Sequence, residues 1–295
     1  MSAIMKAMDL FWKNVKKGDD ARLAKQTEPE GIERICDIPY IDNGERLHLL
    51  DVYYPENAEK LPVIIDIHGG GWMYGDKELN KMYCLNLAKR GFTVFNISYR
   101  LAPEVTVPEQ LQDVMQALKW IQDNMKDYPC TDDVMLTGDS AGGMLAAFSS
   151  CLVSSAKLRE IFDTVNCDFN FRTVLLTSPC AYMNVGGYMG AYTKLFWGDY
   201  KNKVYKDFMN FDALLPYAKL PPVFLITSSG DVLALKQTRR ANEDLKKFGF
   251  ETKLIDLPKF EGVNLPHVFS VLEPESKAGS WVIDKAITYF RNNMA

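Results

Sequence analysis

A chain of 295 residues is long enough to bury a substantial core, and 47% apolar with 24% charged residues excludes a disordered or fibrous protein. The formal net charge of −4, with no basic cluster, gives no electrostatic affinity for nucleic acid or anionic lipid. Nucleic acid is not an expected partner. Cys36, Cys84, Cys130, Cys151, Cys167 and Cys180 show neither C-x-x-C nor metal-ligand spacing. They read as structural thiols of a reducing, cytoplasmic setting.

At the N-terminus Ile4, Met8, Phe11 and Trp12 recur at helical spacing, which predicts an amphipathic helix lying on the rest of the protein rather than a signal peptide. No stretch approaches the ~18–20 apolar residues of a membrane span. Strands are expected at Glu33–Ile38, Arg46–Tyr53, Val63–His68, Phe92–Ser98, Asp133–Gly138, Thr173–Ser178, Pro222–Ser228 and Thr252–Leu257. Helices are expected at Lys77–Arg90, Pro108–Met125, Ala141–Ser154, Lys236–Phe248 and Ser276–Asn292. Pro108 suits a helix first turn, and Gly91 and Gly249 suit C-caps. The first two strands, with no helix between them, predict an antiparallel edge. The later runs are continuously apolar, as in a sheet buried on both faces. The alternation predicts one α/β domain with a mostly parallel sheet between helices. Between Ser178 and Pro221 ten aromatic residues, Tyr182, Tyr188, Tyr192 and Trp197 among them, fill a segment without clear elements. So long an insertion is either a functional lid or a unit packing its own small core.

The chemistry centres on Gly138-Asp139-Ser140-Ala141-Gly142, between a strand-like and a helix-like run. In that setting G-x-S-x-G lifts a serine hydroxyl clear of the backbone, at a helix N-terminus that favours negative charge. Taken alone, the pentapeptide is also compatible with a plain glycine-rich turn. A serine nucleophile requires a base, an orienting acid and an oxyanion hole. Of three histidines, His48 sits in an alternating strand and reads as a half-exposed structural residue, and His68 opens His68-Gly69-Gly70-Gly71-Trp72. His267, in a loop after the last strand, is left as the base. Asp231 directly follows an apolar strand and stands between serine and histidine in chain order, so it is the candidate acid, with turn capping as its other reading. The triple glycine frees the backbone N–H groups of Gly70 and Gly71 to join that of Ala141 around an oxyanion. A phosphate-binding turn is the alternative for such a loop, but no phosphate-loop motif accompanies it.

The His68–Trp72 motif, Tyr99-Arg100-Leu101-Ala102-Pro103-Glu104, Gly138–Gly143 and Asp231-Val232-Leu233 together resemble the hormone-sensitive-lipase-like (family IV) branch of the α/β-hydrolases, from about residue 30 onward. The resemblance implies an α/β-hydrolase fold with an eight-stranded sheet, and a cap built from about residues 1–30 and 180–217. It implies carboxylic ester hydrolysis through an acyl-serine, with no cofactor and no metal. In it Ser140 attacks, His267 serves as base and then acid, Asp231 holds the imidazole, and Gly70, Gly71 and Ala141 form the oxyanion hole. Trp72, Asp139, Tyr182 and Trp197 are the candidate substrate-binding residues. Arg100 and Glu104 are expected to brace the loop before the next helix. The chain departs from the family pattern at Val268, where a glycine is common, at Cys180, where a tryptophan is common, and in a longer loop Pro258–Pro266. The expected partner is a small ester, with short-chain acyl groups as the leading reading. An arylformamidase-like amide hydrolase and a non-catalytic small-molecule receptor are the other readings. The oligomeric state stays open, a homodimer included.

Overall fold

The computed structural model describes residues 3–183 and 193–294. Eight strands form one sheet in the order β1-β2-β4-β3-β5-β6-β7-β8. They are β1 (Ile32–Pro39), β2 (Leu49–Pro55), β3 (Leu61–Ile67), β4 (Thr93–Ile97), β5 (Cys130–Asp139), β6 (Phe171–Thr177), β7 (Val223–Ser228) and β8 (Thr252–Leu257). β1 pairs antiparallel with β2, and β2 antiparallel with β4; every other pairing is parallel. The expected antiparallel edge is present. All eight predicted strands are found, shifted at their ends by a few residues.

The central strands carry the core. In β3 the side chains of Val63, Ile64, Ile65 and Ile67 are all inaccessible, as are those of Val94, Phe95 and Ile97 in β4. Continuous apolar sequence is what burial on both faces requires, and each such side chain contributes about 1.5–3 kcal/mol on leaving water. The parallel strands all end at one sheet edge, and the loops leaving β3, β5, β7 and β8 carry the glycine loop, Ser140, Asp231 and His267. Ligands of open α/β sheets collect at this carboxyl edge.

Helix α1 (Ala3–Leu23) runs well past the predicted N-terminal helix. The predicted Lys77–Arg90 splits into a 3-10 turn, Lys77–Asn80, and α2 (Lys81–Lys89). The break has a polar cause. The Lys77 ammonium turns inward to Asp51, at 3.0 Å, and to Asp37, at 2.9 Å, while Asn80 points its amide into the interior instead of capping α2. Helix α3 (Val107–Asn124) starts with a capping box between Thr106 and Glu109, with Pro108 in the first turn as expected. Such a cap is worth about 1 kcal/mol.

Helix α4 (Ser140–Val153) is apolar all round and buried between β5 and β6 and its neighbours. It approaches the sheet closely because Gly142 has no side chain; a Cβ there would overlap the carbonyl oxygens of Ile67 and His68. The helix Ala156–Phe162 has no clear periodicity to announce it and ends on Asp163, in the left-handed region at φ 51°. In the aromatic segment Phe196, Trp197 and Phe211 are buried, and Tyr205 stacks on Phe162 at 6.0 Å between ring centroids. These described aromatics join the main core rather than forming a small one of their own. Tyr188 and Tyr192 lie outside the described residues. Among the described residues, no helix is long and apolar enough to cross a membrane.

Candidate active site

The Ser140 Oγ lies 2.9 Å from His267 Nε2, and His267 Nδ1 lies 2.8 Å from Asp231 Oδ1. Each residue is delivered by local structure. Ser140 sits at φ 52°, the strained left-handed turn that raises its hydroxyl from the chain, and Gly138 lies so close to Gly142 O that only glycine fits there.

Asp231 follows β7 and is fully buried. Its Oδ1 accepts backbone N–H groups from Ala234, at 2.8 Å, and Leu233, at 3.1 Å, besides facing the imidazole. Burial pushes its pKa up. The hydrogen bond and charge of His267, with donors from Ser178 and Ala234, outweigh this and hold it below the usual carboxylate value.

The register of the long loop before His267 is fixed across the site. The Ser228 hydroxyl donates to Leu265 O at 2.7 Å, and Gly230 passes so close to Leu265 that a Cβ would overlap its carbonyl. Val268 adopts φ 49°, the left-handed conformation that glycine takes freely and a β-branched residue resists. Packing holds it there, since Val268 is 7% exposed within the core cluster of Leu265 and Phe269.

The other histidines serve structure. His48 is buried rather than half-exposed, with Nδ1 3.1 Å from Asn43 and Nε2 3.2 Å from Asp113. His68 stacks on Tyr99 at 4.4 Å, and its Nδ1–H donates to Gly69 O at 2.7 Å. Burial pulls His68 down to about 4, against the pull of that carbonyl, so the ring is neutral. Arg100 braces its loop through Asp113, at 2.7 Å and 2.9 Å. Glu104, expected to share that task, is exposed.

The glycine loop is shaped for close approach. Gly70 and Gly71 have φ of 106° and 58°, and no acceptor among the described residues pairs with their N–H groups. Ala141 lies in the first turn of α4, whose N–H groups have no intrahelical acceptor. The Cys180 thiol lies 3.7 Å from Ser140 Oγ, and its backbone N–H donates to Ser140 O at 3.0 Å. Burial pushes the thiol up to about 12, so it stays protonated beside the serine.

The candidate substrate-binding residues are buried among protein partners. Asp139 is 4% exposed and holds the loop from below: its Oδ1 accepts Gly69 N–H at 3.0 Å and the Asn80 amide at 2.8 Å. Trp72 is 1% exposed against Phe196, and its carbonyl accepts from Ala102 and Gln110. Trp197 packs between Phe148 and Tyr205. Tyr182 lies under Arg240 with its hydroxyl on Asp244 at 2.7 Å. All four side chains are enclosed by protein contacts, because tertiary packing draws these large rings and this carboxylate inside.

Sequence reasoning missed Asn80 and Asp66, though a lone carboxylate in the apolar run of β3 was a signal. The Asn80 amide also donates to Asp66 Oδ2, at 2.9 Å, so one side chain bridges two buried carboxyl groups. Burial first, then Asp139, push Asp66 up to about 8, against hydrogen bonds from Asn80 and Cys84. An acid raised in the fold keeps its proton there while the unfolded chain loses it near pH 4. Its contribution to stability is therefore complete below that value and declines as pH rises toward 8. Thermal melts of Asp66→Asn, which mimics the protonated acid, should fall less between pH 5 and 8 than those of the wild type. Parallel curves would contradict this account of Asp66.

The sheet order, the strained serine turn and the three-residue relay define an α/β-hydrolase. A family model described as BD-FAE matches residues 50–176. The structure of esterase B from Lactobacillus rhamnosis is similar over 99% of this chain and 95% of that one, at 31% identity and TM-score 0.93. A second structure of that esterase, inhibited by a C4-C4 tributyrin phosphonate, has the same TM-score. Among curated relatives, esterase LipQ of Mycobacterium tuberculosis is 30% identical over 50% of this chain and 34% of its own length. Arylacetamide deacetylase of Bos taurus is 41% identical over 32% of this chain and 26% of its own length. The chain thus spans about a third or less of these two curated relatives. It belongs to the hormone-sensitive-lipase-like branch of the α/β-hydrolase family.

Proposed function

We propose that this protein is a serine carboxylesterase for short-chain acyl esters, with Ser140 as nucleophile, His267 as base and then acid, and Asp231 as the orienting carboxylate. The observation that carries the reading is the unbroken relay of 2.9 Å and 2.8 Å contacts from Ser140 through His267 to Asp231. With Nδ1–H donating to Asp231, Nε2 is the free base that takes the serine proton as Oγ attacks the ester carbonyl. The N–H groups of Gly70, Gly71 and Ala141 then receive the developing oxyanion, each such donor being worth about 10²–10³ in rate. His267 returns the proton to the leaving alkoxide, and water releases the acyl group by the same steps in reverse. Helix α1 and the described residues of the 180–217 segment act as the cap over this edge.

The short-chain reading is supported by the likeness to esterase B, whose inhibited form carries a C4-C4 tributyrin phosphonate. Amide hydrolysis is the second reading, favoured by the local likeness to arylacetamide deacetylase. A series of p-nitrophenyl esters from acetyl to decanoyl, run beside N-formylkynurenine, tests both. Highest kcat/KM at two to six carbons is expected, with slower amide turnover. A maximum at eight carbons or more, or preference for the formamide, contradicts the proposal.

A further inference from the structure

Helix α1 touches the catalytic edge at both of its halves. Near its middle the Trp12 ring lies directly on Gly71: a Cβ there would be 2.6 Å from Cζ2 and 2.8 Å from Cη2 of the indole. The same ring stacks on Tyr74, with centroids 5.3 Å apart and planes at 17°. Tyr74 belongs to the glycine loop, since its N–H and that of Met73 both donate to Gly70 O, at 3.0 Å and 3.1 Å. Its hydroxyl donates to Asp19, at 3.1 Å, two helical turns beyond Trp12 on the same face. Arg22 pairs with Asp19 and donates to Leu272 O at 3.0 Å, as does Gln26 at 2.7 Å. Leu272 ends the short helix Phe269–Leu272, which starts two residues after His267.

Two adjacent glycines with positive φ have no side chains to lock their peptide. Its carbonyl is held from within the loop by the N–H groups of Met73 and Tyr74, and the indole, flat against Gly71 and stacked on Tyr74, walls that turn from outside. We propose that Trp12 is a positioning residue for ester hydrolysis, steadying the Gly70–Gly71 peptide so that its one N–H, that of Gly71, faces the oxyanion. The proposal rests on the serine-esterase reading of the same site. A turn loosened at Tyr74 and Gly71 leaves the substrate bound but the transition state poorly solvated, so the loss falls on kcat rather than on KM.

The test is steady-state hydrolysis of p-nitrophenyl butyrate by the full chain and by Trp12→Ala and Trp12→Phe, with thermal melts of each. Trp12→Ala should lose about 10- to 100-fold in kcat, a fraction of a full oxyanion donor, with KM within about threefold. Trp12→Phe, which keeps a flat ring on Gly71, should stay within about threefold of wild type. If Trp12→Ala does not fold, Trp12→Leu, which keeps apolar volume without a flat ring, should show the same kcat loss. The proposal is overturned if the alanine or leucine variant keeps kcat within twofold. It is equally overturned if KM rises alone, or if phenylalanine loses as much as alanine. Failure of the underlying reading shows separately, as a wild type that neither turns over the ester nor reacts with a fluorophosphonate.

Discussion

Replacing Ser140 by alanine should abolish ester turnover, by about 10⁶-fold in kcat, while leaving the melting temperature close to wild type. The size follows from the relay: without Oγ there is no atom to carry the acyl group, and the remaining rate comes from binding and the oxyanion hole alone. The fold should survive because Ser140 is held through its backbone. Its carbonyl accepts Cys180 N–H, and its left-handed turn is set by the packing of Gly138 against Gly142. Hydrolysis of p-nitrophenyl butyrate and a thermal melt check both halves. Residual turnover within a hundredfold of wild type would mean that another residue attacks.

Asp231→Ala should cost on the order of 10⁴ in kcat, through loss of the charge that favours the imidazolium and of the bond that aims the ring. Asp231→Asn should cost less than that. The oxygen facing His267 is also the one that accepts Leu233 N–H and Ala234 N–H, at 3.1 Å and 2.8 Å. Those two donors keep an asparagine oxygen, not its NH₂ group, toward Nδ1–H. The productive tautomer is then retained and the loss is of charge alone. Equal losses in the two variants would show that the amide turns over and traps the wrong tautomer.

Much of this site was legible in sequence because the residue types are few and their order is diagnostic. Ser140, Asp231 and His267 follow strands that all end at one edge, and the triple glycine precedes them. The strands were legible because burial on two faces demands apolar runs. Their exact ends, and the 3-10 turn before α2, were not, because Lys77 and Asn80 respond to carboxylates distant in sequence. The position of His267 in its long loop is set by Ser228 and Gly230 against Leu265, a contact no local pattern reveals. The burial of Trp72, Tyr182 and Trp197 was not legible for the same reason: an aromatic looks alike in sequence whether it faces a pocket or the core. Trp12 was read as part of an apolar stripe, but not as the ring that meets the glycine loop.

The most direct test of the central claim is covalent. After incubation with a fluorophosphonate, tandem mass spectrometry of the protein digest should find one adduct, on Ser140, rising in step with loss of esterase activity and absent from Ser140→Ala. Complete loss of activity with the adduct on any other residue, or full activity with Ser140 modified, would contradict it.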